Sequence, residues 1–163
     1  MSGFKKTFGL NVLVVVLFIA DRLLKKFFYE NPNFVWDFLF AKKLLSFNYA
    51  QNYGIAFSFF NHLESNLWAR LILILITFVC IVFLVNFLIS YYWRQKFLYI
   101  AGLSLIIAGA FSNLLDRVHY GFVVDYIDVS FFTIFNLADA MITGGIILIL
   151  FKELITKKVV TNI

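Results

Sequence analysis

A carboxylate with no base within a helical turn and a long apolar run after it is an unusual place for a charge. Asp139 occupies one, in Phe135-Asn136-Leu137-Ala138-Asp139. A group so placed either takes up a proton or shares its site with another ionisable group. Asp125 and Asp128, in the stretch just before it, are the best-placed companions. Two carboxylates brought together tend to hold one proton between them. One then acts as base on a water while the other donates a hydrogen bond to a carbonyl, as in aspartic proteases. A proton or ion relay in a transporter uses the same residue types, and spacing does not choose between the two.

Residues 121–129 are rich in β-branched and aromatic side chains. If they run extended, side chains three apart point to opposite faces, so only one of Asp125 and Asp128 can meet Asp139. Asp21 has Lys25 one helical turn later, a favourable ion pair that pins a helix end as readily as it serves chemistry. Asp116-Arg117 closes an apolar run and suits an interfacial anchor. Other chemistries are poorly supported. His62 and His119 have no Cys or His partners at metal-ligand spacing, and Phe-rich surroundings speak against a helical Ser58–His62 pair. Nothing marks a serine as partner for Lys25 or Lys26, no glycine-rich phosphate loop is present, and Cys80 sits deep in an apolar run. Neither metal nor cofactor is expected.

The elements that must position these groups follow from composition. Of the 163 residues 63% are hydrophobic and only 14% charged, with 22 phenylalanines, against roughly 25% charged in an average soluble domain. Mean hydropathy is +0.91. A soluble globule this small has too much surface to cover with so few charges, and a disordered chain would be poor in aromatic and aliphatic residues. A single cysteine excludes a disulfide scaffold. The chain is an integral membrane protein by elimination. Its net charge of +5 does not point to nucleic acid. The basic residues come in small groups beside apolar runs (Lys5 and Lys6, Arg94 and Lys96, Lys157 and Lys158), as interfacial anchors do.

A spanning helix needs about 20 mostly apolar residues. Leu71–Ile89 and Phe97–Leu115 supply clean runs. Phe8–Ala20 reaches spanning length only by continuing through Asp21 and Lys25 to Phe28, and Ala140–Phe151 only by starting near Asn136. This predicts one domain over 1–163, all-α apart from a small β element, with helices at about 8–28, 67–92, 97–115 and 135–153. The first helix is expected to stay uncleaved, since Phe18 is too large for a signal-peptide cleavage site. Residues 29–66 are too polar to span and too aromatic to float free. Leu44–Phe60 is rich in strand formers with a likely bend at Gly54, which predicts a sheet on the membrane surface. A second loop covers about 116–134. Four spans put both loops on one side and both termini on the other. Lys and Arg number seven on each side by this assignment, so the positive-inside rule does not orient the chain.

The motifs together resemble the lipoprotein signal peptidase (signal peptidase II) family over essentially the whole length. Asp21 and Lys25 match its Asp-Gln-x-x-Lys pattern with Arg22 for glutamine. Asn52-Tyr53-Gly54-Ile55-Ala56-Phe57 matches Asn-x-Gly-Ala-Ala-Phe with Ile55 for alanine. Gly109 to Arg117 matches with Ser112 for glycine, and Val123 to Tyr126 and Phe135 to Asp139 match closely. The resemblance implies an aspartic endopeptidase of the bacterial cell membrane that cuts prolipoproteins before their diacylglyceryl-modified cysteine. It implies Asp125 and Asp139 as the catalytic pair, with Asn52, Gly54, Asn113, Arg117 and Asn136 binding substrate or ordering the site. Asp21, Lys25, Gly109, Asp116 and Ala138 are implied as structural neighbours of that site. No metal or cofactor takes part by this reading. It further implies prolipoproteins and membrane lipids as partners, no nucleic acid, a functional monomer, a site at the extracytoplasmic face and cytoplasmic termini. The alternatives are a small proton-coupled transporter or channel subunit using Asp139 and Asp21, and a non-catalytic scaffold, which leaves the polar helix ends unexplained.

Overall fold

The computed structural model describes residues 2–37, 45–54, 67–94, 96–129 and 133–160. Four helices carry most of the chain: α1 (Ser2–Glu30), α2 (Leu67–Trp93), α3 (Phe97–His119) and α4 (Leu137–Val160). Three strands form one antiparallel sheet in the order β1 (Trp36–Asp37), β2 (Leu45–Asn52), β3 (Val123–Val129). Among the described residues three helices, α1 from Thr7, α2 and α3, are long and apolar enough to cross a bilayer. The fourth, α4, is of similar length and carries Asp139, Lys152 and Glu153. α2 buries no residue, and its outward Phe78, Val79 and Phe83 make it a helix solvated by lipid rather than by protein.

α3 is the central helix and packs against α4, α2 and α1. Its buried stripe includes Gly102, Gly109, Asn113 and Asp116, the 7-4-3 spacing of one helix face. The buried residues of α1 repeat that spacing as Val14, Asp21, Lys25 and Phe28. Polar groups therefore sit where a soluble helix would bury leucines. Close approach of α3 to α4 depends on Gly109, because a Cβ there would collide with the carbonyl oxygen of Ala138.

The sheet packs on the ends of α1 and α3. Phe28 of α1 stacks on Tyr126 of β3 with ring centroids 5.2 Å apart and planes 2° from parallel. With Val124 they form a small apolar core, against which Phe47, Tyr49 and Leu137 pack. Ala50 pairs with Asp125 and Ser46 with Asp128, with a bulge between Phe47 and Ala50. Beyond β3 the chain doubles back, and Ile127 and Phe135 exchange hydrogen bonds of 2.8 and 3.0 Å. That bridge brings the start of α4 alongside β3.

Several boundaries differ from the sequence expectation. α3 continues a full turn past Leu115, so Asp116 and Arg117 are helical rather than loop residues. Asp116 is fully buried and ion-paired with Lys25 and Arg22; it is not an interfacial anchor. The extra turn is closed by Arg70, whose Nε and Nη2 donate to the carbonyls of Arg117 and Val118 at 2.9 and 2.8 Å. α1 begins at Ser2 and ends at Glu30, and α4 begins at Leu137, not 135. Among the described residues the expected strand region is realised as β2, and the sheet is completed by β1 and, from the other loop, by β3. Of the expected strand, Leu44 and residues 55–60 lie outside the described residues, as do Ile55, Ala56 and Phe57 of the motif, Ser58, His62, Lys42 and Lys43.

Candidate active site

Asp125 and Asp139 arrive at one place by different routes. Asp125 is on β3, in extended backbone, and is 2% exposed. Asp139 is in the first turn of α4. The residue between them is Asn136. Its Oδ1 accepts the Asp139 backbone N–H at 2.9 Å, and the Asp139 carboxylate accepts the Asn136 backbone N–H at 3.3 Å. This reciprocal pair is a capping box, with Asp in the place of the usual Glu or Gln. An N–H can only donate, so Oδ1 must face the helix and the NH2 group must face away. There Nδ2 donates to Asp125 Oδ1 at 2.7 Å and to the Val124 carbonyl at 3.3 Å.

Asn52, the last residue of β2, is oriented by the same logic. Its Oδ1 accepts the backbone N–H of Gly54 at 2.8 Å, which leaves Nδ2 to donate to Asp125 Oδ2 at 2.9 Å. Gly54 has φ +94°, and a Cβ there would come within 2.8 Å of Leu73 and 3.4 Å of the Arg117 guanidinium. Both the backbone region and the space call for glycine. Asp125 thus receives two short hydrogen bonds. Burial pushes its carboxyl up to about 6, and the Asp139 charge adds to the rise, while the donors from Asn52 and Asn136 work against it. Asp139 Oδ1 accepts from Asn113 Nδ2 at 2.8 Å.

Behind the pair is a fully buried cluster. Asp21, Lys25, Asp116 and Ser112 are all 0% exposed. Lys25 reaches Asp21 at 3.2 Å and Asp116 at 2.9 Å, so the expected Asp21–Lys25 pair forms and gains a second carboxylate. Arg22 pairs with Asp116 and its Nη1 also donates to the Ser112 carbonyl at 3.3 Å. Ser112 Oγ donates to Asp21 at 2.6 Å. The Tyr126 hydroxyl, which burial holds far above the ordinary tyrosine range, donates to Asp21 Oδ1 at 3.0 Å and accepts the Leu137 N–H at 3.1 Å. The Ala138 N–H, on a residue with no exposure, also meets Asp21 at 3.1 Å. All three amide donors at 137–139 are satisfied by named side chains, and the Asp21 carboxylate sits at the positive end of the helix dipole. Two carboxylates and two cations leave this cluster neutral.

Arg117 lies against Gly54 and faces the charges of Asp139, Asp125 and Asp116. Its Nη1 donates to the Asn113 carbonyl at 3.4 Å, and its buried Nε has no hydrogen-bond partner among the described residues. Asp128 is elsewhere: it accepts from Asn48 at 3.0 Å and Ser46 at 3.4 Å on β2. Sequence reasoning missed the Asn136–Asp139 capping box, although Asn-x-x-Asp before an apolar run was its signal. It also missed the Tyr126 hydroxyl, which strand alternation places opposite Asp125. The Arg70 tie to α3 has no sequence signal. The departures Arg22 and Ser112 bear directly on the buried carboxylates Asp116 and Asp21.

A family model described as signal peptidase (SPase) II matches residues 13–155. The chain is 36% identical over 159 residues to a lipoprotein signal peptidase of Caldicellulosiruptor bescii, covering 90% of this chain and 96% of that one. It is 35% identical over 156 residues to one from Shewanella halifaxensis, covering 90% and 86%. A solved structure described as a bacterial membrane enzyme, obtained by the in meso method, matches with a TM-score of 0.73 at 26% identity, covering 90% of this chain and 87% of that one.

Proposed function

Because the chain belongs to the signal peptidase II family, we propose that its membrane-embedded fold cuts diacylglyceryl-modified prolipoproteins with Asp125 and Asp139 as the reacting pair. It is a protease of lipoprotein processing, as its relatives are, and the transporter alternative finds no support among them. The observation that carries the assignment is Asn136, which caps the helix bearing Asp139 with one end of its amide and holds Asp125 with the other.

The division of labour follows from the donors. Asp125 has two short bonds, one to each oxygen, and such donors favour the ionised form. Among the described residues Asp139 has one short bond, and its Oδ2 has only the 3.3 Å contact with the Asn136 N–H. The shared proton therefore rests on Asp139 Oδ2. Asp125, whose carboxyl burial holds above the ordinary carboxylate range, is the ionised member beside the protonated Asp139 and is basic enough to take a proton from an attacking water. As that water adds to the scissile carbonyl, Asp139 donates to the carbonyl oxygen and Arg117 stabilises the developing charge. Collapse of the tetrahedral intermediate expels the amine, which takes the proton from Asp125.

A diacylated substrate stays in the bilayer, so its scissile bond lies near the membrane surface. The sheet, the C-termini of α1 and α3 and the N-termini of α2 and α4 share that depth at the extracytoplasmic face, with α4 as the fourth span. The protein works as a monomer among membrane lipids. The test is the purified protein in liposomes with a diacylglyceryl-modified prolipoprotein. We expect release of the signal peptide by the unaltered chain, and none by Asp125→Asn or Asp139→Asn, each still folded and inserted. Equal cleavage by either variant would refute the assignment.

A further inference from the structure

Lys25 is fully buried and has three hydrogens to give and no lone pair to receive one. Its partners are Asp21 at 3.2 Å, Asp116 at 2.9 Å and Asn113 Oδ1 at 2.7 Å. The two carboxylates have other donors. Asp21 also accepts from Ser112, Tyr126 and the Ala138 N–H, and Asp116 from Arg22 and the Val124 N–H. Among the described residues nothing else replaces the bond to Asn113 at the same length; the Asn136 amide reaches Asn113 Oδ1 only at 3.3 Å and is committed to Asp125 at 2.7 Å. A donor-only neighbour decides which way round an amide sits. With its oxygen on Lys25, Asn113 must turn its NH2 toward Asp139, where the 2.8 Å bond is found. The reverse orientation would set donor against donor at Lys25 and acceptor against acceptor at Asp139.

We propose that Lys25 is a positioning residue for peptide cleavage: through the Asn113 amide it fixes the donor that holds the Asp139 carboxyl in its reacting geometry. This rests on the reading of Asp125 and Asp139 as the reacting pair. Without Lys25 the amide is free to turn over, and Asp139 loses its short bond while substrate contacts are untouched.

The test is a double-mutant cycle on the full-length protein in liposomes, with a diacylglyceryl-modified prolipoprotein as probe. Lys25→Met and Asn113→Ala should each lower kcat about a hundredfold, the usual scale for one oriented donor, with KM within about twofold. In the Asn113→Ala background, Lys25→Met should change kcat by less than about twofold, because the two residues act as one unit. Multiplying losses would overturn the proposal. Lys25→Met/Asp116→Asn removes the cation and one anion together and keeps the cluster neutral. It should show the same loss of kcat, and a folded variant of this kind with unaltered kcat would overturn the proposal, as would failure of both Lys25 variants to fold, which would assign the residue to the fold alone. A readout independent of activity separates this from the catalytic reading. The side-chain amide of Asn113, observed by nitrogen-15 NMR, should give one resonance pair in the unaltered protein and two exchanging orientations in Lys25→Met. One unchanged pair in the variant would sink the idea even if the precursor is cut.

Discussion

At the scale of single residues, asparagine does most of the positioning. Asn52, Asn113 and Asn136 each accept a hydrogen bond from a group that can only donate, and each thereby presents an NH2 to an aspartate. This has a consequence for pH. The ionised form of Asp125 is stabilised by Asn52, and its carboxyl titrates near 6 because burial outweighs that donor. If ionised Asp125 is the base, kcat/KM should rise through about pH 6 in the unaltered protein. Removing the donor with Asn52→Ala removes a stabiliser of the ionised form, so the rising limb should move to higher pH. A limb that stays put, or moves to lower pH, would take the base role away from Asp125. Asp128 supplies the contrast. It lies three residues along the same strand and bonds to Asn48 and Ser46 instead. Asp128→Asn should keep substantial cleavage, measured on the lipidated precursor, whereas Asp125→Asn should abolish it. The reverse result would mean that the wrong aspartate has been paired.

At the scale of elements, the site depends on how closely α3 and α4 approach and on how α4 begins. Gly109 has no room for a Cβ against the Ala138 carbonyl, while a Cβ at Gly144 would meet no other described part of the molecule within 4 Å. Gly109→Ala should therefore push α4 away, lower the thermal midpoint and cut kcat. Gly144→Ala should leave activity intact and be neutral or gain up to about 1 kcal/mol, since alanine is the better helix former. Matching effects in a thermal melt and cleavage assay of the two variants would contradict this reading of the interface. How much of this was legible in the sequence depends on the range of the forces involved. The apolar runs gave the helices, because burial in lipid acts on every residue of a span. The extended character of β3 and the Asp21–Lys25 pair were local, and both are present. The long-range contacts are not legible: in the sequence Asp116 reads as a boundary residue because its partners, Lys25 and Arg22, are some ninety positions away. The pairing of β2 with β3 was hidden for the same reason. The capping box at Asn136 is local, with Asn-x-x-Asp as its signal, and reading Asp139 as a lone charge rather than as the third residue of a helix hides it.

At the scale of the whole molecule, the structure bears on an orientation that counting charges left tied. The positive-inside rule concerns basic residues at the membrane boundary. Lys25 is fully buried in the bundle with Asp21 and Asp116, and the Arg22 guanidinium turns inward onto Asp116 and the Ser112 carbonyl. Neither is a free interfacial cation, and removing both from the loop side breaks the tie in favour of the terminal side. This supports the proposed orientation, in which the termini and the turn at Arg94 are cytoplasmic and the sheet faces outward. Single cysteines in a Cys80→Ala background provide the measurement. Asn33 and Thr133 are exposed at the sheet end and Arg94 is exposed at the other. Asn33→Cys and Thr133→Cys should react with a membrane-impermeant maleimide in intact spheroplasts, while Arg94→Cys should react only after permeabilisation. Labelling of Arg94→Cys alone in intact cells would invert the molecule. It would also place Asp125 and Asp139 on the cytoplasmic side, out of reach of a precursor cut at the outer face. Labelling as expected puts the carboxylate pair at the depth and on the side where the lipid-anchored cysteine of such a precursor emerges.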